Sequence, residues 1–445
     1  CTIVEDPGLL DEVAGLVEWP VPLLGQIEAA YMDLPAEVMQ VSMRVNQRYF
    51  ALRHADGSAA PFFAFAANIA ASDGGAAIIA GNERVLRARF SDARHFWDLD
   101  RTQTLDSRVA ALDGVTFHAK LGTQGARVAR LEALAERIAF MVGADPALAE
   151  RAARLAKADL TTGMVGEFPE LQGVMGGYYA AHDGENAEVA QAIRDHYLPK
   201  GVGDDVPTTP VAIAVALADK LDTLCAFFGV GEKPTGSGDP FALRRAALGV
   251  IRIIRENGLR LHLGAIIPAT DKQDLLDFLT ERLRIQLRSE GARHDVLSAV
   301  LAIGLDDDFT RLLARSSALA TLLGTEDGRN LLAAAKRAAN ILRIEEKKDG
   351  PHDGPVEAGL LADPAEIALA ALLDSVAPAV EKALQREDFS GAMRLLASLR
   401  PSLDAFFADV TVNEDNAAIR KNRLHLLAKL RSAMNNTADF SKIDG

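Results

Sequence analysis

The chain has 445 residues, 49% apolar and 25% charged, with a formal net charge of −14. Such a length suggests about three domains, and the apolar share suffices for sizeable cores in a soluble globular protein. The acidity argues against nonspecific nucleic-acid binding over the whole surface, leaving local basic patches as the sites to look for. Aromatic residues make up only 6%, and with abundant alanine this favours helices over a β-sandwich. Residues 1–105 carry the clear β signal: "RYFALRHADGSAAPFFAFAANI", residues 48–69, is two aromatic-rich runs around Asp56-Gly57, the pattern of a hairpin whose turn tolerates positive φ. From Asn82, a plausible helix cap, the period changes. Val85, Leu86, Phe90, Ala93, Phe96 and Trp97 fall on one helical face, and Arg84, Arg87, Arg94 and His95 on the opposite one. Arg89 falls among the apolar positions, where an arginine snorkels or pairs with a buried carboxylate.

From about 107 to 344 nearly everything reads as helix, punctuated at "GADPA", "GVGDDVPTTP" and "PTGSGDPF". Asp239-Pro240 reads as an N-cap followed by proline at the first helical position, opening "FALRRAALGVIRIIREN". The charged, Gly- and Pro-containing "EEKKDGPHDGP", residues 345–355, reads as a linker, and 356–445 as a separate helical block. No internal repeat is visible. No apolar run approaches the roughly 20 residues needed to span a bilayer, and no secretory signal is readable, so the chain reads as cytoplasmic. Residue 1 is Cys rather than Met, which suggests a fragment whose natural start is missing.

Four constellations bear on chemistry. The adjacent His182-Asp183 is of the kind metal phosphohydrolases use, and by order alone His118, His182, Asp183 and Asp219 fill the ligand roles of an HD-type site. Their spacing is loose. The helix expected to carry such a dyad reads "RLAKADLTTGM", with Lys157 and Ala158 where ligands are needed. A charged ammonium is no ligand, so the pair is expected to be a structural remnant with no metal. Second, Glu83-Arg84 in "AGNERVLRARF" faintly resembles an ATP-binding strand motif, but only Gly81 precedes it and the pattern is helical. The arginines of that helix form either a solvated face or a basic stripe for RNA phosphates or an acidic partner. Third, two cysteines, Cys1 and Cys225, cannot build a thiolate metal site or a disulfide framework. No phosphate loop, nucleophile elbow or zinc spacing is present, and "GGYYAAHDG" lacks the strand-to-helix context of a nucleotide site. Fourth, "IRKNRLHLLAKLR" places Arg420, Lys421, Arg423, Lys429 and Arg431 in a run without carboxylates. Arg423 lies among Leu426, Leu427 and Leu430, and the others point away from that leucine face.

Long stretches in fixed order are more specific than any of these: "VNQRYF" (45–50), "GNERVLRARFSDAR" (81–94), "KADLTTGMVGEFPELQGVMGGYYAAHDGE" (157–185), "ALADKLDTL" (216–224) and "PTGSGDPFALRRAALGVIRII" (234–254). On these the chain resembles the beta subunit of the bacterial two-subunit glycyl-tRNA synthetase over essentially its whole length. The resemblance implies a mainly α, multidomain fold: a small α+β part (1–105), an HD-like helical domain (106–260), a helical body (261–344), the linker (345–355) and a helical anticodon-binding-type domain (356–445) similar to that of arginyl-tRNA synthetase. It implies a tRNA-binding ligase component that does not itself form the adenylate and has no catalytic residue or cofactor of its own. ATP, Mg and glycine would be used by a separate alpha subunit, in a holoenzyme of two alpha and two beta chains acting on tRNA(Gly). The candidate tRNA-binding residues are then Arg420, Lys421, Arg423, Lys429, Arg431, Arg84, Arg87 and Arg94. An active metal phosphohydrolase is the alternative, and a helical scaffold without an RNA role explains the basic patches least well.

Overall fold

A computed structural model describes residues 1–304 and 306–444. Helix accounts for 65% of it and strand for 6%, so the chain is mainly α with a small N-terminal sheet. It divides into two compact units, residues 1–226 and 227–445.

The first unit opens with four antiparallel strands, β1 (Thr2–Ile3), β2 (Val21–Gln26), β3 (Phe50–Arg53) and β4 (Ala59–Ala67), in the order β1-β3-β4-β2. The hairpin β3–β4 turns at Asp56-Gly57, where Gly57 has φ +85° and Asp56 Oδ1 accepts from the Ser58 backbone N–H and hydroxyl. Ala60, Phe63 and Phe65 of β4 are buried, and Phe63 stacks on Tyr49 at 4.7 Å. Gly25 lies opposite Phe63 across the β2–β4 ladder, and a Cβ there would sit 2.3 Å from the Phe63 ring, so only glycine fits.

Beside the sheet run α1 (Pro7–Leu16), α2 (Ala36–Gln47) and the 25-residue α3 (Ala76–Asp100). Leu86, Phe90, Ala93 and Trp97 of α3 are buried at alternating spacings of four and three, as the wheel implies. Three expectations for this helix fail. Its first turn is at Ala76, where Asp73 accepts from the Gly75 and Ala77 N–H groups; Asn82 is a mid-helix residue that accepts from the Tyr49 hydroxyl and donates to the Ile78 carbonyl. Val85 is exposed. Arg89 is exposed too, without an ion pair among the described residues, rather than among the buried positions.

Then come α4 (Gln124–Val142), α5 (Pro146–Leu155), α6 (Val174–His182), α7 (Ala187–Asp195) and α8 (Pro210–Gly229). "GADPA" does what its residues dictate: left-handed Gly143 ends α4, and Asp145 caps α5 ahead of Pro146. The glycine pair of "GVMGGYY" lets α6 approach α7 closely, since a Cβ on Gly177 would lie 2.9 Å from Arg194 Cβ and one on Gly176 2.7 Å from Ile193 Cγ2.

The second unit is helical: α9 (Leu243–Glu256), α10 (Lys272–Ser289), α11 (His294–Leu301), α12 (Phe309–Gly324), α13 (Glu326–Asp349), α14 (Pro364–Gln385), α15 (Phe389–Ala397), α16 (Arg400–Asp409) and α17 (Ala417–Asn435). Asp239 does cap α9, accepting from the Leu243 and Arg244 N–H groups at 2.8 and 2.9 Å. The helix nevertheless begins after Pro240, which lies in the preceding turn, and Ala242 takes the left-handed position at its start. The segment 345–355 is not a free linker. Its first five residues complete α13, which ends at positive-φ Gly350, and its end is fastened to α17, where His425 Nδ1 meets the Pro355 carbonyl at 2.8 Å; just beyond it, Asn422 exchanges hydrogen bonds with the Glu357 backbone.

Candidate functional site

The ends of α5 and α7, the first turns of α4 and the middle of α8 bring titratable groups into the interior of the first unit. Lys157, in the turn after α5, is fully buried, with Nζ 2.7 Å from Asp219 Oδ1, 2.8 Å from His196 Nε2 and 3.8 Å from the centroid of the Tyr197 ring. His196 Nδ1 lies 2.6 Å from the Ile193 carbonyl, which requires its proton there and leaves Nε2 to accept from the ammonium. Arg127 of α4 donates to Asp219 Oδ1 at 2.9 Å and to Thr223 Oγ1 at 2.7 Å, while Arg130 forms a two-pronged pair with Asp222 at 2.7 and 3.1 Å. Burial works to raise the Asp219 carboxyl, but Lys157 and Arg127 overcome it and hold the group well below the usual carboxylate range. Burial pushes the Lys157 ammonium down to about 7 and His196 well below its ordinary value.

A divalent ion reaching Asp219 and His196 together would have to sit where the Lys157 ammonium sits. The other residues of the hydrolase constellation are elsewhere. His182 is exposed in the last turn of α6. Asp183 accepts from the Leu105 N–H at 2.6 Å. His118 lies on the short strand Thr116–His118 and accepts from the Lys120 N–H. Among the described residues no group of three or more His, Cys, Asp or Glu is placed to hold a metal ion. The two tyrosines before the dyad are anchors: Tyr178 donates to Glu37 of α2 at 2.8 Å and Tyr179 to Asp100 of α3 at 3.0 Å.

The basic stripe on α3 is mostly engaged within the unit. Arg87 pairs with Glu28, and Arg94 with Asp33, donating to the Ala30 carbonyl as well at 2.6 Å. Arg84 is exposed with no ion pair among the described residues.

The basic run on α17 is paired still more completely. Arg420 binds Glu345 and Asp349 of α13; Arg431 binds Glu346 of α13 at 2.7 Å; Lys429 pairs with Asp374 of α14. Arg423 is buried, reaching Glu366 of α14 at 2.8 and 3.2 Å, the Thr411 carbonyl at 2.7 Å and Glu414 at 3.2 Å. Lys421 stays exposed and without an ion pair among the described residues. Arg420, Arg423, Lys429 and Arg431 therefore do not form an uncompensated positive surface: carboxylates 9 to 85 residues away in sequence neutralise them. Their visible signal was local, and their partners are not.

Glu345 shows the consequence in pH. Hydrogen bonds from Lys348 and then Arg420 lower its carboxyl to about 2. A depressed carboxyl contributes stability that is present above its unfolded pKa of about 4.3 and is lost as pH falls through the folded value. Glu345→Gln is therefore expected to flatten the fall in melting temperature between about pH 4.3 and the folded pKa of about 2. Parallel wild-type and variant curves over that window would contradict the pairing.

Residues 331–444 match the family model of the DALR anticodon binding domain, which places these helices of the second unit in the class of anticodon-binding domains. Residues 1–302 match the model of the glycyl-tRNA synthetase beta subunit, and the chain belongs to that family. Relatives named glycine–tRNA ligase beta subunit are 55% identical in Rhodospirillum centenum, over 99% of this chain and 64% of the relative. In Phenylobacterium zucineum the figures are 57%, 100% and 66%, and in Paracoccus denitrificans 50%, 100% and 66%. The chain thus spans just under two thirds of their length. Among the described residues no helix is long and apolar enough to cross a membrane.

Proposed function

We propose that this chain is the tRNA-handling beta subunit of a glycine–tRNA ligase, supporting ATP-dependent attachment of glycine to tRNA(Gly) by a separate alpha subunit. ATP and Mg act in that alpha subunit, in a cytoplasmic assembly of two alpha and two beta chains. The observation that carries the reading is the anticodon-binding-domain match over 331–444, joined to a family match over 1–302. Within this reading the first unit is a scaffold whose hydrolase-like interior is closed by Lys157.

The test is binding of glycine tRNA with native and altered anticodons, with and without the alpha subunit. Truncation near residue 350 is a poor probe, because it parts α13 from the α17 residues that neutralise it. Point variants are cleaner. Lys421→Ala removes an exposed cation that has no ion pair among the described residues and is expected to weaken tRNA binding without changing the melting temperature. A phosphate contact lowers the salt slope by about one for every tRNA, while a base contact costs roughly 1–3 kcal/mol at a single anticodon position. Equal affinity of the wild-type assembly for glycine tRNA and unrelated tRNAs, whatever the anticodon, would sink the reading.

A further inference from the structure

We infer that one face of α13 is a strip that seats RNA phosphodiesters, formed by Arg329, Lys336, Arg343 and Lys347; the inference rests on the tRNA-binding reading and gives it a location. The helix looks unpromising by composition, since its six cations are nearly matched by five carboxylates, Glu326, Asp327, Glu345, Glu346 and Asp349. The structure separates the two sets. Every one of those carboxylates is ion-paired: Glu326 and Asp327 with Arg400, Glu345 with Lys348 and Arg420, Glu346 with Arg431, and Asp349 with Arg420. Arg420 and Arg431 of α17 thus engage the acids in the last turns of α13, Arg400 of α16 is shared by Glu326 and Asp327 at its start, and most of the helix's own cations are left without an ion pair among the described residues.

Two of those six are otherwise engaged: Lys348 by Glu345, and Arg337 by the Phe407 ring, 4.5 Å from its centroid. The remaining four have no carboxylate within ion-pair distance among the described residues. Arg329 donates to the Gly324 carbonyl at 2.8 Å and Arg343 to Asn340 Oδ1 at 3.5 Å, contacts that orient a guanidinium without cancelling its charge. Arg329, Arg343 and Lys347 are exposed and Lys336 half-buried.

Their spacing makes them a line. Steps of seven, seven and four residues keep all four within about 40° of arc and spread them over about 27 Å of helix. The buried residues Leu331, Ala335, Ala338 and Leu342 lie on the other side, while buried Leu332 borders the strip beside Arg343 and Lys336. An extended row of uncompensated cations on an acidic protein matches a polyanion, and each phosphate it meets releases condensed counterions. Midway along it, Lys336 and Asn340 line a cavity of about 380 Å³ closed by Leu430, Met434 and Phe440. Of the other charged groups lining it, Arg431 is paired with Glu346, while Asp439 accepts from the Ser441 N–H and hydroxyl and keeps its charge, so the cavity suits the donor edge of a base and not a phosphate. Polar and apolar groups around a space of that size suit an unstacked base carried by the same strand.

The experiment compares the full chain, assembled with its alpha partner, with the variant carrying Arg329→Gln, Lys336→Gln, Arg343→Gln and Lys347→Gln. Glycine tRNA binding is measured across a KCl series. The variant is expected to melt with the wild type, to bind at least tenfold more weakly near 0.1 M salt, and to lose about three from the slope of log K against log salt, four phosphates at about 0.7–0.9 each. A charge-keeping set, Arg329→Lys, Lys336→Arg, Arg343→Lys and Lys347→Arg, should retain both affinity and slope. If the wild type binds and the glutamine variant matches it in affinity and slope, the strip is not the RNA contact while the tRNA reading stands. The strip is equally overturned if the charge-keeping set fails like the glutamine set, or if the glutamine set loses only its association with the alpha partner. A wild-type assembly that does not bind tRNA removes the proposed function and the strip with it.

Discussion

Asp219→Asn is expected to cost the first unit about 3–5 kcal/mol, the range found when one partner of a buried ion pair is removed. The substitution keeps shape and volume, so the loss is electrostatic. It leaves the Lys157 amine, fully buried against His196 and a tyrosine face, without the carboxylate that holds its proton. Arg127 retains Asp222 at 3.4 Å, so Lys157 bears the damage. For a unit of this size the loss corresponds to a fall of about 6–20 °C in melting temperature. Lys157→Met should be damaging for the reciprocal reason, because Asp219 then keeps Arg127 alone. Lys157→Met combined with Asp219→Leu removes both charges and is expected to be less destabilising than the sum of the two single changes, since buried pairs replaced together by apolar side chains are often tolerated. Additive losses would mean that the ammonium and carboxylate are not coupled. A rise in metal affinity in Lys157→His would fit the same geometry.

The hairpin was legible because two local rules agree there, alternation along each run and the Asp-Gly turn, and the register pairs Ala51 with Phe63 accordingly. The buried face of α3 was legible from its helical period at Leu86, Phe90, Ala93 and Trp97. Its start was not, because Ala76–Gly81 holds only weak apolar periodicity and the cap is made by Asp73, outside the helix. Charge composition misled at 345–355: "EEKKD" resembles solvated linker, yet Glu345 is buried because Arg420, seventy-five residues on, reaches it.

The same physics limits how far a site is readable from sequence. Lys157 was visibly wrong for a metal ligand, but nothing in the spacing of residues 157, 196 and 219 shows that they converge. Arg420, Lys429 and Arg431 formed the most conspicuous basic run, and folding places a carboxylate against each. The cations of α13 are conspicuous only after its acids have been assigned to partners. A charge run locates a helix face; which charges stay uncompensated is decided by contacts far apart in sequence.

Glu366→Ala should be the most damaging single change in the second unit, because that one side chain serves two helices. Asp363 and Glu366 form a capping box at the start of α14, where Glu366 Oε1 accepts from the Asp363 N–H at 2.9 Å and the Ala362 N–H at 3.2 Å. The same carboxylate takes the Arg423 guanidinium of α17 at 2.8 and 3.2 Å, with Glu366 fully buried. Burial opposes ionisation of Glu366, yet Arg423 and the backbone N–H donors keep its pKa below the ordinary value. Losing the cap costs about 1 kcal/mol, and orphaning the buried arginine about 3–5 kcal/mol. Arg423 keeps the Thr411 carbonyl and Glu414, so the sum should stay near its lower end, about 4 kcal/mol in all. Glu366→Gln separates the contributions, since an amide oxygen still accepts from the Asp363 N–H while the charge facing Arg423 is gone. Thermal melts of the two variants are expected to order wild type above Glu366→Gln above Glu366→Ala. Arg423→Met should restore part of the loss in the Glu366→Ala background by removing a buried guanidinium that has lost its main carboxylate and keeps Glu414. A double variant no more stable than Glu366→Ala alone would show that Arg423 is held by its remaining acceptors and that the capping box carries the effect.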